Sequence, residues 1–249
     1  MLSTSVIIPL YQYPHTPTTW APLYNAIDKH PNLHFVVIVN PNSGPGCPPA
    51  PDAHYAHEIP RLNTWANVQT VGMNETQGVY VQGIFFDETP NHWSAEAADY
   101  LDMITTEVRK DTGIKGKRLV MHNPGTVPDA SLANQKPDIT AVFEDNYSRY
   151  RSQSTQGVIS AKSYDRAGSL FIVHSTPIGD IKRLVNDLRP QAEYLFVTDL
   201  QERYYESFGP GWTTFIEAIT ADPVVAGKAA HKKAAARKPS RSRSSSNPT

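Results

Sequence analysis

Two stretches of the chain end in adjacent carboxylates, FFDE (Phe85–Glu88) and VFED (Val142–Asp145). In each, a short apolar run stops at two acids. Carboxylates held on two nearby strands suit glycoside hydrolysis, where one acid protonates the leaving oxygen and the other attacks carbon or activates water. Like charges placed close together also raise one pKa, which helps the general acid keep its proton. Neighbouring residues of a strand point to opposite faces. Glu88 therefore shares a face with Phe86, Asp87 with Phe85, and Glu144 with Val142, and only one acid of each pair points straight into a common site.

The ends of the other apolar runs supply further candidates: Tyr11, Asn40 with Asn42, Met73, His122–Asn123, His174 and Asp199. All but Met73 are read as substrate-binding positions. Tyr11, Tyr13, Trp93, Tyr147 and Trp212 could stack on sugar rings. A divalent metal held by His122, His174, Asp87 and Asp199 is the competing use of the same residues, but no HxH or HxxH spacing supports it, and no metal or other cofactor is expected. A serine nucleophile lacks its GxSxG elbow. NPNSGPG has the glycines of a phosphate loop without its GK[ST] end, and reads as a rigid turn-rich loop over the site. The sequons at Asn74 and Asn146 matter only in a secreted chain.

Strands alternating with helical patterns must carry these residues. The apolar runs are Ser5–Tyr11, His34–Asn40, Val68–Met73, Val81–Glu88, and those ending at Asn123, Asp145, His174 and Asp199. Most are continuously apolar, as in strands buried on both faces of a parallel sheet. Helical patterns fall near Thr18–Lys29, His54–Ala66, Ala95–Lys110, Asp180–Arg189 and Gly211–Thr220, with Thr18 or Thr19 and Ser94 as N-caps. Eight strands with intervening helices indicate an α/β (β/α)₈ barrel. A doubly wound sheet is disfavoured, because no dinucleotide fingerprint follows the first strand and polar residues end many strands. The third unit is defective: Asn74–Gly78 is five residues, and a parallel crossover needs about 10–12. Either the third and fourth runs pair antiparallel, or the third helix is missing.

The 249 residues fit one barrel domain over residues 1–222. Seven of the 23 Lys/Arg lie from Lys228 onward, leaving 16 against 24 Asp/Glu in the rest. Residues 223–249 are thus a basic, Ser/Ala-rich tail expected to be disordered, a solvated extension and not a nucleic-acid-binding arm. The single cysteine, Cys47, gives neither a disulfide framework nor a metal cluster. No apolar run spans a bilayer, and the N-terminus reads as a first strand and not as a signal peptide. The expected state is a monomer.

Taken in order, VIIPLYQYP, VVIVNPNSGPG, VQTVG, GIFFDETP, HNPG, VFEDNY, FIVHSTP and YLFVTDL resemble the spherulin-4 (spherulation-specific family 4) proteins of fungi, over about Val6 to Thr220. The resemblance implies a (β/α)₈ barrel and endo-acting hydrolysis of α-1,4-linked N-acetylgalactosamine stretches in fungal galactosaminogalactan, outside the cell or at its surface. It places the family's acids on Asp87, Glu88 and Glu144. Glu88 and Glu144 are then expected as the principal acid/base or nucleophile, with Asp87 supporting. A catalytically silent carbohydrate-binding or wall protein, and a metal-dependent deacetylase, are the alternatives. Two departures stand out. The third strand reads VGMNETQG where the family carries a tyrosine-containing VGYV followed by a helix, and no secretion signal is seen. A lost exon would explain each.

Overall fold

The computed structural model describes residues 3–11, 20–39, 82–110, 114, 117–135, 137–161 and 164–221. These form a closed, all-parallel barrel of seven strands: β1 (Ser5–Leu10), β2 (Phe35–Val39), β3 (Gly83–Asp87), β4 (Leu119–Asn123), β5 (Ile139–Asn146), β6 (Ser169–His174) and β7 (Tyr194–Val197). The helices between them are α1 (Ala21–Lys29), α2 (Ala95–Lys110), α3 (Tyr147–Tyr150), α4 (Gln153–Ala161), α5 (Ile178–Leu188) and α6 (Trp212–Thr220). None of these is long and apolar enough to cross a membrane. The expected barrel is therefore present and incomplete.

The incompleteness falls where the short crossover pointed. β2 pairs directly with β3 (Ile38 with Gly83, Val39 with Ile84), in parallel. The other edge of β3 pairs in parallel with β4 from Gly83–Leu119 to Asp87–Asn123. An antiparallel partner for this strand is thus replaced by two parallel ones. The third run itself, Val68–Met73, lies outside the described residues, as do Asn40, Asn42, Tyr13, Cys47, the helix expected at His54–Ala66 and the basic tail.

Continuous burial explains why the strands are legible: Ile84, Phe85 and Phe86, and Val120 and Met121, are all inaccessible on both faces. Gly83 begins β3 because a Cβ there would lie 2.1 Å from the Leu119 carbonyl oxygen. α2 starts where Ser94 Oγ accepts from the Ala97 amide at 3.0 Å. It buries Leu101, Ile104, Thr105 and Val108, one face at helical spacing. α1 begins at Ala21, later than the Thr18 expected, and Thr18 and Thr19 lie outside the described residues. Arg189, just past α5, donates to the carbonyls of Ala221 (2.8 Å) and Ile219 and so satisfies the C-terminal end of α6.

β5 is irregular. Ala141 pairs with Leu170 but Phe143 with Phe171, so Val142 is an extra residue, a β-bulge. The loop after β4 meets this bulge: Thr126 bridges to Phe143, and the Gly125 carbonyl accepts from the Glu144 amide at 3.0 Å. Gly125 adopts φ +67°, a conformation natural to glycine.

Candidate functional site

At the C-terminal mouth of the barrel, two carboxylates from different strands meet on one side-chain amide. Asn123, the last residue of β4, turns its Nδ2 to Asp87 Oδ1 at 2.6 Å and to Glu144 Oε2. The amide cannot flip freely, because its Oδ1 accepts from the Gly125 amide at 3.1 Å. Both N–H hydrogens therefore face the acids, one for each.

Asp87 also accepts from the Tyr11 hydroxyl at the end of β1 and from the Glu88 amide at 2.9 Å. Every one of these neighbours donates, which fits an acceptor-only carboxylate. Glu144 Oε1 accepts from Tyr204 at 3.0 Å and from Tyr205. Burial, and then the Asp87 charge, push Glu144 above the usual carboxylate range, while the bonds from Asn123, Tyr205 and Tyr204 pull it back. Tyr204 and Tyr205 are held as neutral phenols, raised first by burial and next by Glu144. Tyr11 stacks on Tyr205 with ring centroids 4.7 Å apart, and both pack against Phe85. The mouth thus holds two carboxylates on one amide donor, and burial biases Glu144 toward its protonated form.

Strand geometry explains this arrangement. Asp87 follows Phe85 into the barrel. Glu88 lies beyond the strand, exposed, at φ +52°. The expectation has Glu88 leading and Asp87 assisting; the structure brings the Asp87 side chain into the network, which Glu88 joins through its backbone amide. For Glu144, the shared face with Val142 is also corrected. Val142 lines an outer cavity with Thr140, whereas Glu144 turns inward, because the bulge between them reverses the alternation.

His174 stands beside the network, its ring stacked on Tyr204 at 4.6 Å and 7°. Its Nδ1 lies 2.9 Å from Ser175 Oγ, and burial lowers its pKa despite the opposing Asp145 charge. Four expected residues make other contacts. His122 faces the helices, its Nε2 3.2 Å from Thr105 Oγ1 on α2, and lines the same outer cavity of about 700 Å³. Burial lowers its pKa to about 4. Asp199 Oδ1 accepts from the Gly211 amide at 2.8 Å at the start of α6. Trp212 is buried, donating to the Pro22 carbonyl at 3.1 Å and packing on Phe208 and Phe215. The Tyr147 hydroxyl accepts from Arg183 at 2.7 Å. The metal alternative loses its geometry with these placements: among the described residues, no three His, Cys, Asp or Glu converge to hold an ion.

Tyr204 and Tyr205 were missed from sequence. They sit in the β7–α6 loop, where no periodicity marks an inward side chain. The available signal was an adjacent tyrosine pair in a loop on the catalytic face of a barrel.

The model of the spherulation-specific family 4 (Spherulin4) matches residues 5–79 and 73–219, the two matches meeting at the short connection. The solved structure of Aspergillus clavatus Sph3 in complex with GalNAc superposes with a TM-score of 0.67 at 32% identity, over 88% of this chain and 98% of that one. No curated protein sequence matches this chain. With both matches spanning most of its length, the chain belongs to the spherulation-specific family 4.

Proposed function

We propose that the protein is an endo-acting glycoside hydrolase that cleaves an N-acetylgalactosamine-containing fungal polysaccharide at the cell surface or outside the cell. The observation that carries this reading is the Asn123 bridge between Asp87 and Glu144. The substrate class is supported by the likeness to Sph3, whose structure holds GalNAc.

Two carboxylates bridged by one planar NH₂ group lie close together, Asp87 Oδ1 at 2.6 Å from the nitrogen. A close pair favours retention over inversion, in which a water must fit beside the base. Asp87 attacks the anomeric carbon as Glu144 gives its proton to the departing glycosidic oxygen. The glycosyl ester on Asp87 is then opened by water, which Glu144 deprotonates, and Asp87 leaves as carboxylate. Tyr11 and Asn123 hold Asp87 in line for attack. Tyr204 and Tyr205 orient Glu144 and limit how far its pKa climbs. Glu88 contacts substrate from the rim.

The test is to incubate the full-length protein with galactosaminogalactan, count new reducing ends, and follow the anomeric configuration of the first product by NMR. Release with retained α configuration supports the reading. Binding without release would support the silent carbohydrate-binding alternative, and an inverted first product would remove Asp87 as nucleophile.

A further inference from the structure

Four large hydrophobic side chains are exposed among the described residues: Trp93, Met103, Val158 and Ile178. Met103, Val158 and Ile178 sit on helices. Trp93 alone lies in a loop, the β3–α2 connection, on the same face of the barrel as the acids and six positions after Asp87. It is 57% exposed, the most of the four. Nothing in the core requires an indole there.

The loop is nevertheless fixed. The Trp93 amide donates to Asp129 Oδ2 at 3.0 Å, and the His92 ring lies 3.5 Å from the same oxygen. The Asp129 amide returns a bond to the Asn91 carbonyl at 2.9 Å. One residue later, Ser94 caps α2. An exposed aromatic ring on a backbone tied from both sides is a preorganised flat surface, offered without the entropy cost of ordering a loop. Such a surface matches the apolar C–H face of a pyranose ring, and the neighbouring His92 imidazole, 85% exposed, adds a polar edge for hydroxyls.

We propose that Trp93 is the stacking platform of a distal saccharide subsite, which holds a sugar of the polymer beyond the ring being cleaved. The inference rests on the polysaccharide reading above and deepens it: an enzyme that cuts within a chain must grip it away from the reacting bond. Asp129 is the positioning residue of this subsite.

The experiment compares wild type with Trp93→Ala and Trp93→Phe on long galactosaminogalactan and on a short N-acetylgalactosamine oligomer. The polymer-to-oligomer ratio of kcat/KM falls about tenfold for Trp93→Ala, the size of one lost stacking contact, through KM and not kcat. Trp93→Phe recovers part of it. An unchanged ratio overturns the proposal. Affinity electrophoresis in polymer-loaded gel, on the Asp87→Asn background, separates this from the catalytic reading. There Trp93→Ala migrates faster than its parent if the subsite exists, whether or not the wild type cuts. Equal retardation rejects the platform even if hydrolysis is confirmed.

Discussion

β3 and β5 deliver carboxylates to the same place by opposite means. β3 is regular: Phe85 and Asp87 point inward, and Glu88 leaves the wall at a left-handed residue. β5 is bulged at Val142, and only because of that extra residue does Glu144 turn inward. Two motifs that look like mirror images, DE and ED, thus each give one acid to the mouth, the first of one pair and the first of the other. Each acid pair at a strand end sends one carboxylate into the mouth, and local backbone geometry decides which.

The comparison is broken most severely by deleting Val142. Removing the bulge restores simple alternation and turns Glu144 out of the barrel. We expect a loss of at least about a thousandfold in kcat, the scale of a missing general acid, with far-ultraviolet circular dichroism showing the barrel intact. Deleting no residue but removing the bridge, as Asn123→Ala, leaves two carboxylates facing each other without a shared donor. A loss of about a hundredfold is expected, together with a further rise in the Glu144 pKa.

The tyrosines give a graded version of the same test. Tyr205→Phe and Tyr204→Phe each remove a bond that favours the charged form of Glu144, so its pKa rises further. Activity that needs protonated Glu144 is lost as pH rises through that pKa. The basic limb of the pH–rate profile therefore moves to higher pH in both variants, and a shift toward lower pH would contradict the assignment.

Stability should show the cost of this arrangement. Glu144 has a folded-state pKa above its unfolded value, so its contribution is most favourable at acid pH and is lost as pH rises through the folded pKa. Glu144→Gln should then melt higher than wild type at pH 7, by about 2–4 °C for each kcal/mol relieved, and the gap should close on acidification. His122 is the reverse case, a histidine whose pKa falls to about 4. Its burial costs about 3 kcal/mol of stability as pH falls from about 6.5 to 4. His122→Gln should flatten that part of the acid-unfolding curve without changing the pH–rate profile.

Much of the barrel was legible because parallel strands buried on both faces read as unbroken apolar runs, as in Val6–Ile8 or Leu170–Val173. α2 was legible to the residue because Ser94 caps it and its apolar positions recur at helical spacing. The short Asn74–Gly78 connection pointed to a defective unit before β3, and among the described residues β2 pairs directly with β3. The same double burial hid the polarity of the acids. When Phe85 and Phe86 are equally apolar, alternation says that Asp87 and Glu88 diverge but not which one enters the barrel. The bulge at Val142 leaves no composition signal, and Tyr204 and Tyr205 belong to a loop. His122 and Asp199 resembled site residues because they end strands, yet each answers a local need, a bond to α2 and the start of α6.

The central claim is that Asp87 and Glu144 form the reacting pair and Glu88 does not. It is tested most directly by reducing-end release from galactosaminogalactan by Asp87→Asn, Glu144→Gln and Glu88→Gln side by side. The account predicts losses of at least about a thousandfold for the first two and no more than about tenfold for Glu88→Gln. A Glu88→Gln enzyme as inactive as Asp87→Asn, or an Asp87→Asn enzyme that retains wild-type release, would contradict it.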